Sequence, residues 1–94
     1  MTSRFVDDDR AYLRWIGTHP QGFVVNAERP ARPSYLILHS AACGSISTNK
    51  WTNYTGPGYQ KIASESLDDI TRWCLANVGA EPRACGLCVS ARRL

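Results

Sequence analysis

The chain is short of charge: Asp, Glu, Lys and Arg make up only 20% of its 94 residues. It also lacks any long apolar run, and no stretch approaches the ~20 consecutive apolar residues that a membrane-crossing helix needs. The opening Met1-Thr2-Ser3-Arg4-Phe5-Val6-Asp7 has neither the apolar core nor the small-residue cleavage site of an export signal. These absences make the cytoplasm the expected compartment, without a membrane partner. Thiols stay reduced there, so paired cysteines read as metal ligands before they read as disulfides. No nucleophile elbow, P-loop, dinucleotide fingerprint or internal repeat occurs either, which removes the enzyme classes most visible in sequence. The net charge of +3 permits nucleic-acid binding without demanding it.

What is present fits one domain over residues 1–94, of a size at which a single apolar core is marginal without a staple. Apolar residues at 44% are ordinary for a globular protein and exclude a disordered tail. Asp7-Asp8-Asp9 leads into Arg10 to Ile16, where Tyr12, Trp15 and Ile16 share one helical face and Gly17 is a candidate stop. Thr18 to Gly22 is a turn, with His19 before Pro20 as a turn residue. Phe23 to Asn26 is a first strand. The loop from Ala27 to Pro33 is broken by Pro30 and Pro33 and carries Arg29 and Arg32. Ser34 to His39 alternates Tyr35 and Ile37 with Leu36 and Leu38, apolar on both sides, as in a covered central strand. Ser45 to Gly58 is polar, turn-rich and too long for a hairpin connection. Tyr59 to Ala63 is a third strand. Ser66 and Asp69 form a capping-box variant, and the second helix places Leu67, Ile70, Cys74 and Val78 on one stripe, with Trp73 at its edge and Gly79 at its end. The expected fold is α+β: a small three-stranded antiparallel sheet, two helices and a structural zinc site.

The zinc site rests on His39-Ser-Ala-Ala-Cys43 and Cys85-Gly-Leu-Cys88. One imidazole and three thiolates suit the closed tetrahedral sites of structural zinc. The expected ligands are His39, Cys43, Cys85 and Cys88. Cys74 falls on the apolar stripe of the second helix, where a free cysteine behaves as a small hydrophobe. A set with Cys74 in place of His39 remains open, and so does a metal-free chain with buried cysteines. A redox Cys-x-x-Cys normally opens a helix after a strand, whereas this one follows the last expected helix. Zinc would close a long loop between strand and knuckle, removing on the order of 3–4 kcal/mol of unfolded-state entropy. Arg83 stands near enough in sequence to offset the site's negative charge.

A strand ending in Leu38-His39, the HxxxC element, a helix and a terminal Cys85-Gly86-Leu87-Cys88 together resemble the zinc-binding domain of the Ada family of DNA repair proteins. The resemblance runs from Tyr35 to Cys88. It implies one zinc held by the two pairs and contact with DNA, as in bacterial repair and nuclease-associated proteins. In that family the first position of the CxxxC pair is the methyl-accepting cysteine. Here that position is His39, and an imidazole cannot reproduce thiolate acceptor chemistry. The resemblance therefore implies the scaffold without self-methylating repair.

Two loops combine cations with aromatics: Arg29 and Arg32 in one, and Lys50, Trp51, Tyr54 and Tyr59 in or beside the other. Cations neutralise phosphates and aromatic faces stack on exposed bases; Asn49 and Asn53 could read base edges. Equally, Trp51 could fold back over a small sheet and the cations be solvated charge. Acids at helix starts are explained by the macrodipole, so Asp7, Asp8, Asp9, Asp68 and Asp69 need no functional reading. A catalytic zinc would want an open position and a base such as Glu65 or Glu81, and three thiolates make a poor hydrolytic site. The expected function is therefore zinc-stabilised binding of DNA, with RNA as a further ligand class. A zinc-stabilised protein adaptor is the alternative, and a small zinc enzyme the third reading.

Overall fold

The computed structural model describes residues 2–41, 55–56 and 58–84. In chain order the elements are β1 (Ser3–Phe5), α1 (Asp9–Thr18), β2 (Phe23–Glu28), β3 (Leu36–Ser40), β4 (Tyr59–Ser64), α2 (Leu67–Asn77) and β5 (Arg83–Ala84). They build one five-stranded sheet in the order β1-β4-β2-β3-β5. Neighbours are antiparallel except β3 and β5, which run parallel.

The fold is α+β, but the small three-stranded antiparallel sheet is corrected to a five-stranded mixed one. The three expected strands form its middle. The two additions are the edge strands: Ser3–Phe5, with Arg4 at its centre, and Arg83–Ala84, which lies at the end of the described residues. Both exist because β4 and β3 offer them a ladder, a tertiary cause that outweighs local propensity.

Helix α1 starts where Asp8 accepts a hydrogen bond from the Ala11 amide at 3.1 Å. It runs through Gly17 to Thr18, so the stop is the His19-Pro20 step, where proline disfavours helix in the residue before it. Helix α2 is capped as expected: the Ser66 hydroxyl accepts from the Asp69 amide at 3.2 Å. At its other end Gly79, at φ +89°, lets its amide reach the Cys74 carbonyl at 3.0 Å. Leu67, expected on the buried stripe, is exposed; Ile70 and Cys74 are the fully buried pair.

The side-chain alternation of the strands produces two cores. Val25, Ala27, Leu36, Leu38 and Ile62 face α2, where Ile70 and Cys74 close the layer. Val24, Ala41 and Ala63 face α1, where Tyr12 and Ile16 pack on them and Phe5 and Trp15 flank. The helices thus lie on opposite faces of one sheet.

Candidate functional site

The α1 face is unusual because its neighbouring strands meet through polar groups. Register places Val24 beside His39 and Ala63, then Asn26 beside Ile37 and Lys61, then Glu28 beside Tyr59. Partners in register project to the same side of a sheet. His39 and Lys61 are accordingly both on this side, and both are buried, at 7% and 6% exposure.

Lys61 donates from Nζ to the Asn26 Oδ1 at 2.8 Å, and the ammonium lies 5.7 Å from the centre of the Tyr12 ring. Burial pulls its pKa down to about 8, and the Asp9 carboxylate partly opposes that. His39 is held neutral: burial, then the charge of Lys61, lower its pKa to about 4. A neutral imidazole is the form that ligates metal. Cys74 sits on the opposite face, fully buried in the α2 core, and burial pushes its thiol up to about 11. That environment favours a protonated, apolar thiol over a ligand.

At the end of the sheet away from His39, residues from two loops meet. Arg29 donates from Nε to the Tyr59 carbonyl at 2.8 Å and from Nη2 to the Thr55 carbonyl at 3.0 Å. It also forms a two-point pair with the Asp7 carboxylate, at 3.0 and 2.9 Å. That pair holds the Asp7 carboxyl below the usual carboxylate range and raises Arg29. Arg32 pairs with Glu28 and is largely exposed, at 62% of its side chain. Tyr35 approaches Tyr59 with ring centres 6.0 Å apart and planes tilted by 58°. The Tyr35 hydroxyl accepts from Asn26 Nδ2 at 3.1 Å, which ties this corner to Lys61.

The three N-terminal acids divide their work. Asp8 caps α1. Asp9 Oδ1 accepts from both the amide and the hydroxyl of Thr55, at 2.8 and 2.7 Å, and the Thr55 hydroxyl oxygen accepts from the Asp8 amide at 2.7 Å. Asp7, in the left-handed region at φ 52°, donates its amide to the Thr55 carbonyl at 2.9 Å. Thr55 is fully buried by this clamp. Macrodipole stabilisation is therefore only part of why acids stand here. The signal for the rest was Gly56: a Cβ there would collide with the Asp7 carboxylate and stand 3.1 Å from Arg29 Nη2.

Of the expected site residues, Arg29, Arg32 and Tyr59 come together and His39 lies at the far end of the same sheet. Cys43, Lys50, Trp51, Tyr54, Cys85 and Cys88 fall outside the described residues, as do Asn49 and Asn53. Among the described residues no group of three or more His, Cys, Asp or Glu side chains is placed to hold a metal, and three of the four expected ligands lie outside that set. Tyr35, Asn26 and Lys61 were not expected at the site. Lys61 lies within the expected third strand, and its position in alternation with Ile62 is the signal that puts it on a covered face. Glu65 lines a separate cavity of about 400 Å³ with Ser3, Trp15, His19, Ser64 and Ser66. There the His19 ring stacks on Trp15 at 4.3 Å, and its Nδ1 lies 2.8 Å from the Trp15 carbonyl. Among the described residues no helix is long and apolar enough to cross a membrane. No family model, no curated protein and no solved structure matches the chain.

Proposed function

We propose that the chain is a zinc-stabilised nucleic-acid-binding domain, with DNA as its first ligand. The observation that carries the binding reading is the convergence of Arg29, Arg32 and Tyr59 at one end of the sheet, from loops separated in sequence. Their roles differ. Arg29 is occupied by Asp7, Thr55 and Tyr59 and holds the start of β4 in place. Among the described residues Arg32 has one carboxylate partner, the half-buried Glu28, while its own side chain is largely exposed, so a phosphate can reach it in place of Glu28.

Zinc is supported by register and by chemistry. β5 pairs with β3 so that Ala84 stands beside Leu38. His39 follows Leu38 directly in sequence and the Cys85–Cys88 motif follows Ala84 directly, so the described pairing ends one residue before each of them. The neutral state of His39 fits ligation, and the buried Cys74 thiol does not. His39, Cys43, Cys85 and Cys88 would hold the ion, whose contribution is a structural crosslink.

Binding is tested by fluorescence anisotropy of labelled DNA and RNA across a salt series. Affinity should fall steeply as salt rises, and Arg32→Ala should flatten the slope of log K against log salt by roughly one. A flat response to every nucleic acid removes this reading and leaves a protein adaptor ahead. For the metal, His39→Ala should lose zinc by elemental analysis and Cys74→Ala should keep it. The reverse pattern would overturn the ligand assignment.

A further inference from the structure

Hydrogen-bond direction determines what Tyr35 can offer a ligand. A protonated Lys61 amine has hydrogens and no lone pair, so the Asn26 atom 2.8 Å from it is the carbonyl oxygen. The Asn26 amide nitrogen therefore faces Tyr35 and donates to the hydroxyl oxygen at 3.1 Å. Tyr35 is the acceptor in that contact, and its own proton is directed elsewhere. Among the described residues nothing accepts it. Lys61 and Asn26 thus act as positioning residues that set the polarity of the Tyr35 hydroxyl.

Beside that donor stands Tyr59, 42% exposed, with its ring 6.0 Å from that of Tyr35. Its backbone is fixed through the carbonyl bond from Arg29 and the ladder to Glu28. An exposed ring next to an oriented donor is suited to a flat group that presents a face and an acceptor-bearing edge. Bases in a duplex have their faces already stacked on one another, whereas an unpaired base offers both.

We propose that this corner binds an unpaired nucleobase of a single strand, Tyr59 stacking on its face and Tyr35 donating its hydroxyl proton to an acceptor on its edge. This rests on the nucleic-acid reading above and narrows it to single strands. The occupant is chosen by the donor and the ring together, since local charge is largely balanced by the Arg29–Asp7 and Arg32–Glu28 pairs.

The test uses the full chain with zinc in the buffer and labelled homopolymers of dT, dC and dA of ~12 nucleotides, which fits the span of a small stacking platform. A duplex of the same length is the comparison. Single strands should bind more tightly than duplex. Tyr59→Leu should weaken single-strand binding roughly 5- to 100-fold. Tyr35→Phe removes one oxygen, so it should fold, lose about fivefold in affinity and flatten the preference among the three homopolymers. Asn26→Asp should flatten that preference as well, with the Tyr35 hydroxyl still present, because a carboxylate would accept the tyrosine proton and turn it inward. A generic loss of charge or packing would lower all three affinities together and keep their ratios. Should duplex and single strand bind alike, with the Tyr35 and Tyr59 variants unchanged, the single-strand inference falls and the nucleic-acid reading stands. Should no nucleic acid bind at low salt, both fall.

Discussion

On the α2 side of the sheet Val25, Leu36, Leu38 and Ile62 meet Ile70 and Cys74, and the buried polar residues there are uncharged, with the exposed Arg4 of β1 donating to Gln60 at the edge. Gln60 donates to the Glu28 carbonyl, and Ser64 accepts from the Ser66 amide. On the α1 side the same strands, one residue along, present His39, Asn26 and Lys61. One backbone therefore supports an apolar core and a polar one at the same time. Burying an amine on the second side costs desolvation that an alkyl chain would avoid, as the lowered pKa of Lys61 records. Both sides hold an apolar cluster, and among the described residues the α1 side alone adds buried basic side chains, His39 and Lys61.

The contrast can be broken most forcefully from the apolar side. Ile70→Ala leaves a cavity in the α2 core and should cost ~2–5 kcal/mol in denaturant unfolding. Next comes Thr55→Val, which keeps the shape but removes the hydroxyl bonded to Asp8 and Asp9. It should cost ~1–3 kcal/mol, because the part-buried bonds from the Asp8 amide and to the Asp9 carboxylate are lost. Lys61→Met should be milder, about 1 kcal/mol or less, since the lost hydrogen bond is offset by relief of desolvation. That variant also carries a pH signature. Between about 8, the folded value, and 10.5, the ordinary lysine value, the unfolded chain holds the proton more tightly. Stability of the parent should therefore rise with pH through that window, and Lys61→Met should remove that contribution. A Lys61→Met loss as large as that of Ile70→Ala would erase the distinction between the faces. Smallest of all, Arg32→Ala should shift stability by less than ~0.5 kcal/mol, in keeping with a largely exposed guanidinium.

Legibility in the sequence followed locality. The Ser66–Asp69 cap, the Gly79 stop and the central strands depend on residues a few positions apart, and each is found near where the sequence places it. Edge strands β1 and β5 depend on a distant ladder that no local pattern announces. The site divides in the same way. Arg29, Arg32 and Tyr59 announced themselves as loop cations and an aromatic. Their actual partners, Asp7 and Thr55 for Arg29 and Tyr35 for Tyr59, come from register and could not be read from spacing. Asp7 and Asp9 show the same limit: helix capping was a sufficient local explanation, and the structure adds a long-range one.

The parallel pairing of β5 with β3 has a consequence for how the chain folds. It joins Leu38 to Ala84 across the whole of β4 and α2, so it closes late, after the local hairpin and helices have formed. Until then β3, whose residues are mostly buried in the finished protein, stands as an open sheet edge. Open edges of that kind recruit other chains. The protein's susceptibility to self-association should therefore be governed by β5 docking before it is governed by either core.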